Sequence, residues 1–128
     1  MHARILVCVA RSVATHKQDY RIATFDGLLG AVFDSGRTIN VRNVHNKDIY
    51  YEAVKETKSE IVVPILIENR VVGVINSESE DEGFYDRQLQ SKIEEIANQI
   101  SNNLYRVGWR PSITLETLPF INIATNDM

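Results

Sequence analysis

Two strand-forming runs, Glu60 to Ile67 and Arg70 to Asn76, are separated only by Glu68-Asn69, and that spacing constrains the fold more than any other feature of the chain. Both runs are rich in Val and Ile, which suit a pleated, half-buried surface. So short a connection predicts an antiparallel hairpin, with Asn69 able to take the positive φ that a tight turn needs. Pro64 sits inside the first run, so its missing N–H must face an edge or a bulge. Downstream, Asp86 is a good helix N-cap, and Leu89, Ile93, Ile96, Ala97, Ile100, Leu104 and Val107 recur on one helical stripe. A long helix laid at least partly on the hairpin is the core of the expected architecture.

The flanking segments extend that picture. Ile5 to Ala10 reads as a buried strand, and Tyr20 to Phe25 alternates as a second strand after the polar connection His16-Lys17-Gln18-Asp19. Leu28, Leu29, Val32 and Phe33 then recur at helical spacing, with Asp26 as the expected cap and Ser35-Gly36 as the stop. Thr38 to Val44 alternates as an edge strand. The polar, turn-prone residues to Asp48 lead into one or two helical turns between Ile49 and Thr57. After Gly108 the helical pattern breaks at Trp109-Arg110-Pro111, and the tail from Ser112 to Thr125 holds two short alternating runs split by Pro119.

Composition narrows the function classes. At 128 residues and 44% hydrophobic content the chain supports one core. Its net charge of -3 comes from basic and acidic residues mixed along the sequence, so no basic stripe offers itself to nucleic acid. Cys8 is the sole cysteine, which excludes an intrachain disulfide and a thiolate metal cluster. The Met1 end shows no signal-peptide pattern, and no apolar run has the length of a membrane span, so a cytoplasmic protein without membrane contact is expected. His2, His16 and His45 share no metal-ligand spacing, and no cofactor or metal is expected. The acidic run Ser77 to Glu82 lacks the ordered ligand positions of a calcium loop and reads as a solvated loop.

Gly27-Leu28-Leu29-Gly30, the basic turn at Gly36-Arg37, the run from Ser59 to Ile65, the hairpin and the long helix follow one another in an order that resembles the GAF family of small-molecule-sensing domains. The resemblance implies an α+β fold with a GAF-like central antiparallel sheet, flanking helices on one face and loops with a short helix on the other. It places the domain at residues 1–108 and a C-terminal extension at 109–128. Against the family pattern the chain reads as N-terminally truncated, lacking the first helix and strand. That would leave unpaired backbone groups in a central slot of the sheet, each costing about 1 to 3 kcal/mol when buried. The candidates to fill the slot are the tail and the equivalent segment of a second subunit.

Within the family, Lys58 to Pro64 and Gly73 to Ser79 look most like the free methionine-(R)-sulfoxide reductases. Those enzymes work through thiolates, and the resemblance puts their cysteines at Leu29 and Tyr51, so no catalytic residue is assigned and reductase activity by that route is not expected. The acidic residues transfer better. Glu60 matches the family glutamate, Asn76 and Glu78 take the places of two aspartates, and the resemblance implies that all three face one cleft with His45 and Tyr51. Carboxylates there would hold the ammonium or amide of a small ligand. The competing reading makes Glu60 and Glu78 solvated strand-end residues. The expected function is non-catalytic sensing or regulation in signal transduction, with an unidentified small-molecule ligand. Its alternatives are a ligand-free dimerisation module and a residual reductase. A homodimer on the terminal helix is expected, because the truncation would uncover part of its stripe.

Overall fold

A computed structural model describes residues 5–11, 22–24, 27–46, 57–111 and 117–124. In chain order its elements are β1 (Ile5–Arg11), β2 (Ile22–Thr24), α1 (Leu28–Ser35), β3 (Ile39–Val41), a 3-10 turn (Val44–Asn46), β4 (Ser59–Ile67), β5 (Arg70–Ser79), α2 (Arg87–Arg106) and β6 (Thr117–Ala124). The strands form one sheet in the order β2-β1-β6-β5-β4-β3. All neighbours are antiparallel except β6, which runs parallel to both β1 and β5. The fold is α+β, with the expected antiparallel pairing on either side of a central parallel strand. The tail segment therefore occupies a central slot, Ile121 pairing Ile75 on one side and Ala10 on the other.

The hairpin turns at Glu68 and Asn69 with φ of 53° and 63°, the two positive values that a type I′ turn requires. Pro64 lies beyond Val62, the last β4 residue that β3 pairs, and next to the register shift at Ile65/Leu66. Its lost N–H thus falls past the end of the edge strand, as the sequence predicts. β5 runs on to Ser79 through residues assigned above to a loop. Pairing explains the extension, because Ser59 and Glu60 still meet Ser79 and Glu78 across the ladder. Only Glu80, Asp81 and Glu82 of that run are exposed.

Each face of the β4–β5 hairpin carries a helix. Alternation sends Ile61, Val63, Ile65 and Ile67 to one face, where Ile75, Tyr85, Ile93 and Ala97 join them in a core under α2. It sends Val62 and Val74 to the other, where Leu28, Leu29, Val32 and Phe33 of α1 close over them with Val41 and Val44. Fully burying an Ile or Val side chain contributes roughly 1.5–3 kcal/mol, so these clusters dominate the stability. β3 is split the same way. Asn40 reaches across to α2, its amide donating to Gln90 Oε1 at 2.9 Å and to the Tyr85 carbonyl at 2.9 Å.

The helix ends show what the sequence could not supply. Asp86 caps α2 as predicted, accepting from the Leu89 N–H at 2.8 Å. The N-cap of α1 is Gly27 at φ 103°, with no side-chain cap bond, and Asp26 lies outside the described residues. Gly36 stops α1 in the left-handed region at φ 69°, donating its N–H to the Val32 carbonyl at 2.8 Å. The apolar stripe of α2 packs on its own sheet, Ile93 and Ala97 buried and Leu89, Ile96, Ile100 and Leu104 half-buried. Val107 does not share it: it falls at the helix C-cap and is 79% exposed.

Candidate functional site

On the α1 face the apolar pattern of the hairpin stops one step short of its open end. Val62 and Val74 are followed on that face by Glu60, Asn76 and Glu78, because period two keeps Glu60 in line with Val62, and Asn76 and Glu78 in line with Val74. Register fixes their neighbours: Glu60 pairs Glu78, and Val62 pairs Asn76. Directly opposed residues place their Cβ atoms about 4.5–5.5 Å apart, so two like-charged side chains are set face to face. Glu60 is 2% exposed and Asn76 4%, which removes the reading of Glu60 as a solvated strand end.

Burial without partners gives the site its character. Glu60 Oε1 and Asn76 Oδ1 are both buried with no hydrogen-bond partner. An unmade bond of this kind costs about 1–3 kcal/mol, and native structures hold few of them. Glu78 does better, accepting from the Thr57 hydroxyl at 3.3 Å. No basic side chain among the described residues pairs with either carboxyl; Arg42, His45 and Lys58, from the chain that borders the site, are exposed.

Desolvation therefore sets the protonation of the pair. Burial, reinforced by Glu78 beside it, holds the Glu60 carboxyl well above the usual carboxylate range. Burial likewise pushes Glu78 up to about 7, against the opposing pull of the Thr57 hydroxyl bond. The two groups act as a unit that keeps proton at neutral pH rather than as two independent anions.

The neighbouring polar groups on the other face are satisfied. Tyr85 donates its hydroxyl to Ser77 Oγ at 2.7 Å, and burial raises its pKa. Ser59 Oγ donates to the Asp81 carbonyl at 2.6 Å, and the Asp81 N–H returns a bond to Ser79 Oγ at 3.0 Å. These bonds tie down the turn that carries the exposed acidic residues.

Of the five residues that the resemblance implicates, the structure brings Glu60, Asn76 and Glu78 together on one face. His45 stands in the 3-10 turn, exposed, with its backbone N–H bonded to Asn43 Oδ1 at 3.0 Å. Tyr51 lies outside the described residues. Thr57 escaped sequence reasoning because it precedes β4 and shares no strand alternation with its partner. The Val44 N–H to Lys58 carbonyl bond at 2.7 Å and the Lys58 N–H to Ser79 carbonyl bond at 2.8 Å hold it there. Leu29, which the resemblance sets at the first thiol position of the reductases, is buried in the α1 core.

A family model described as GAF domain matches residues 4–104. Comparison with curated proteins finds no match. Among solved structures, the type II free methionine-R-sulfoxide reductase of Thermoplasma acidophilum superposes with a TM-score of 0.66 at 22% identity, over 71% of this chain and 65% of that one. A structure described as a GAF domain gives 0.63 at 28% identity, over 69% and 51%. The free methionine-R-sulfoxide reductase of Neisseria meningitidis, in complex with its substrate, gives 0.61 at 21% identity, over 73% and 58%. At their identities the two reductases speak for the fold alone. The chain spans between 51% and 65% of the length of these three structures.

Proposed function

We infer a function from the premise that this chain belongs to the GAF domain family, whose model its residues 4–104 match. GAF domains are in general a regulatory and sensing fold, and this one acts as a non-catalytic sensor in signal transduction. Its ligand is a small molecule that lies against Glu60, Asn76 and Glu78 and supplies hydrogen-bond donors, with His45 and Tyr51 as further wall residues. The observation that carries this reading is the pair of buried, unpartnered acceptors Glu60 Oε1 and Asn76 Oδ1 on one face of the sheet. A ligand with an amide or ammonium group would satisfy both at once, and charge-assisted bonds of that kind are the strong ones.

The non-catalytic part of this reading is supported by side-chain chemistry at a position that the family resemblance implicates. The residue at the first family thiol position, Leu29, is a packed aliphatic side chain that offers no nucleophile. The homodimer remains part of the proposal through the half-buried Leu89, Ile96, Ile100 and Leu104 along α2, and sedimentation at tens of micromolar checks it.

Thermal-shift and calorimetric screening with amino acids, amines and amides tests the sensor. A ligand that binds only the folded state raises the melting temperature by mass action. The expected hit loses its effect in Glu60→Gln and in Asn76→Leu. A full screen without a shift in either format overturns the sensor in favour of a ligand-free module, and dithiol-driven turnover of free methionine sulfoxide overturns the non-catalytic part.

A further inference from the structure

Within the site proposed above, the structure sets two carboxyl groups on directly opposed residues, and no cation among the described residues pairs with them. Glu60 and Glu78 are a directly opposed pair on adjacent antiparallel strands. Asn76, one step along the same face, adds a buried carbonyl oxygen with no donor. A partnered surface pair would leave both carboxyls ionised and indifferent to what approaches. Here the one hydrogen bond that the described side chains donate to the pair is that of the Thr57 hydroxyl to Glu78.

We propose that the Glu60–Glu78 pair is a proton-for-cation exchange site: it holds a proton between its two carboxyl groups when empty, and a small organic monocation, a primary ammonium or a guanidinium, displaces that proton when it binds. The proposal rests on the sensor reading and deepens it by fixing the charge class of the ligand and the pH dependence of its capture. The balance is simple. The protonated pair and a monocation enter; the pair with both carboxylates ionised and holding the cation leaves, and one proton passes to water or buffer. No bond other than O–H breaks.

The geometry selects against other ligands. An anion meets two acidic groups and an amide oxygen, and like charges placed together are disfavoured. A neutral amide satisfies Glu60 Oε1 and Asn76 Oδ1 but leaves the proton where it was. Only a cation with two or more N–H groups satisfies both free oxygens and neutralises the charge left by the departing proton. Among the described residues, the other titratable groups on the elements around the pair lie at the surface or on the far face of the sheet. Asp34 and Arg37 at the end of α1, Arg42 after β3, His45 in the 3-10 turn and Lys58 before β4 are exposed to solvent. Tyr85 faces the opposite side of the sheet and is held by Ser77. β6 brings Asn122 and Ala124 into register beside Asn76 and Glu78, and neither titrates.

Calorimetry of the whole chain with n-propylammonium as probe, and 1-propanol and propionate as neutral and anionic comparators, tests the exchange. Measured in buffers of different ionisation enthalpy, propylammonium binding is expected to release about one proton, and its affinity to rise by up to roughly tenfold per pH unit while the pair is still protonated. Neither comparator is expected to bind. Glu60→Gln, an isosteric change that removes charge and not shape, is expected to abolish both binding and proton release. Carboxyl carbon NMR gives a readout free of any ligand: Glu78 is expected to titrate above the ordinary carboxylate range in the wild type. Propylammonium binding with pH-independent affinity, its failure to bind at any pH, or carboxyls that titrate in the ordinary range each overturn the exchange. A neutral or anionic screening hit abolished by Glu60→Gln overturns the exchange and leaves the sensor standing.

Discussion

The two faces of the β4–β5 hairpin are made from the same strands with the same period, yet they treat buried polarity in opposite ways. Under α2 the aliphatic face ends in Ser59, Ser77 and Ser79, and these buried hydroxyls and the Tyr85 phenol are all engaged in hydrogen bonds. Under α1 the aliphatic pattern gives way to Glu60, Asn76 and Glu78, and two of their oxygens have no partner. A satisfied polar group costs the fold little, whereas an orphaned one lowers stability and is kept only where something else selects it. One face is built to hold the domain together and the other gives up part of that stability at a place where a ligand can restore it.

The difference is broken most severely from the α2 side. Ile93 is buried at the centre of that core, and Ile93→Ala is expected to lower the unfolding free energy by about 2–5 kcal/mol, through lost transfer energy and the cavity left behind. Urea denaturation reads the loss. Ligand capture by the folded fraction should be unaltered, and a variant that loses capture while keeping its stability would show that the two faces are not separable.

A change of opposite sign is expected on the α1 side. Folding raises the carboxyl pKa values of Glu60 and Glu78, so the native state binds more protons than the unfolded chain above the ordinary range near 4.5. Stability contributed by the pair is therefore complete below about 4.5 and is lost as pH rises towards about 7, where Glu78 ionises. Each group accounts for up to about 1.4 kcal/mol per pH unit across its window. Glu60→Gln should flatten that slope and stabilise the protein at pH 7 by about 1–3 kcal/mol. Chemical denaturation at several pH values checks it. A slope unchanged by the substitution would mean that the pair is not what titrates.

Tyr85→Phe probes whether satisfied polarity on the α2 face matters as little as claimed. It removes the phenol and leaves Ser77 Oγ without that donor, and the net loss should be about 1 kcal/mol. A loss several times larger would make Tyr85 a central support of the hairpin rather than a paired polar group.

The sequence held much of this contrast and none of its cause. Period two relates Glu60 to Val62, and Asn76 and Glu78 to Val74, but a two-residue turn in unbroken register would set Glu60 opposite Ser77. The register shift at Ile65/Leu66 is what brings Glu60 opposite Glu78, so the site triad was legible only through the family resemblance. Burial of Glu60 and Asn76 was not, because it depends on what closes over the hairpin end and not on strand period. Asp86 as a cap was readable from a side chain, while the start of α1 at Gly27 rests on a backbone angle. The tail's strand character showed in its alternation. Its parallel insertion between β1 and β5 did not, since alternation is the same for either pairing direction.

The smallest expected effect concerns the turn that serves both faces. Glu68 occupies the left-handed region at φ 53°, a conformation that costs a residue with a Cβ unless its side chain is Asn or Asp, and Asn69 already fills the other central position. Glu68→Asn should relieve that strain by several tenths of a kcal/mol. It also removes the Glu68–Arg110 pair, whose 3.7 Å separation and exposed side chains make its contribution small, at about 0–1 kcal/mol. The net change is expected to be a gain of about half a kcal/mol at most, visible as a slightly higher urea midpoint. What makes it informative is its neutrality between the faces. A better turn stabilises β4 and β5 together, so the pH slope set by Glu60 and Glu78 and the affinity for propylammonium should both stay as in the wild type. A shift in either would tie the carboxyl pair to the far end of the hairpin and end its treatment as a local site.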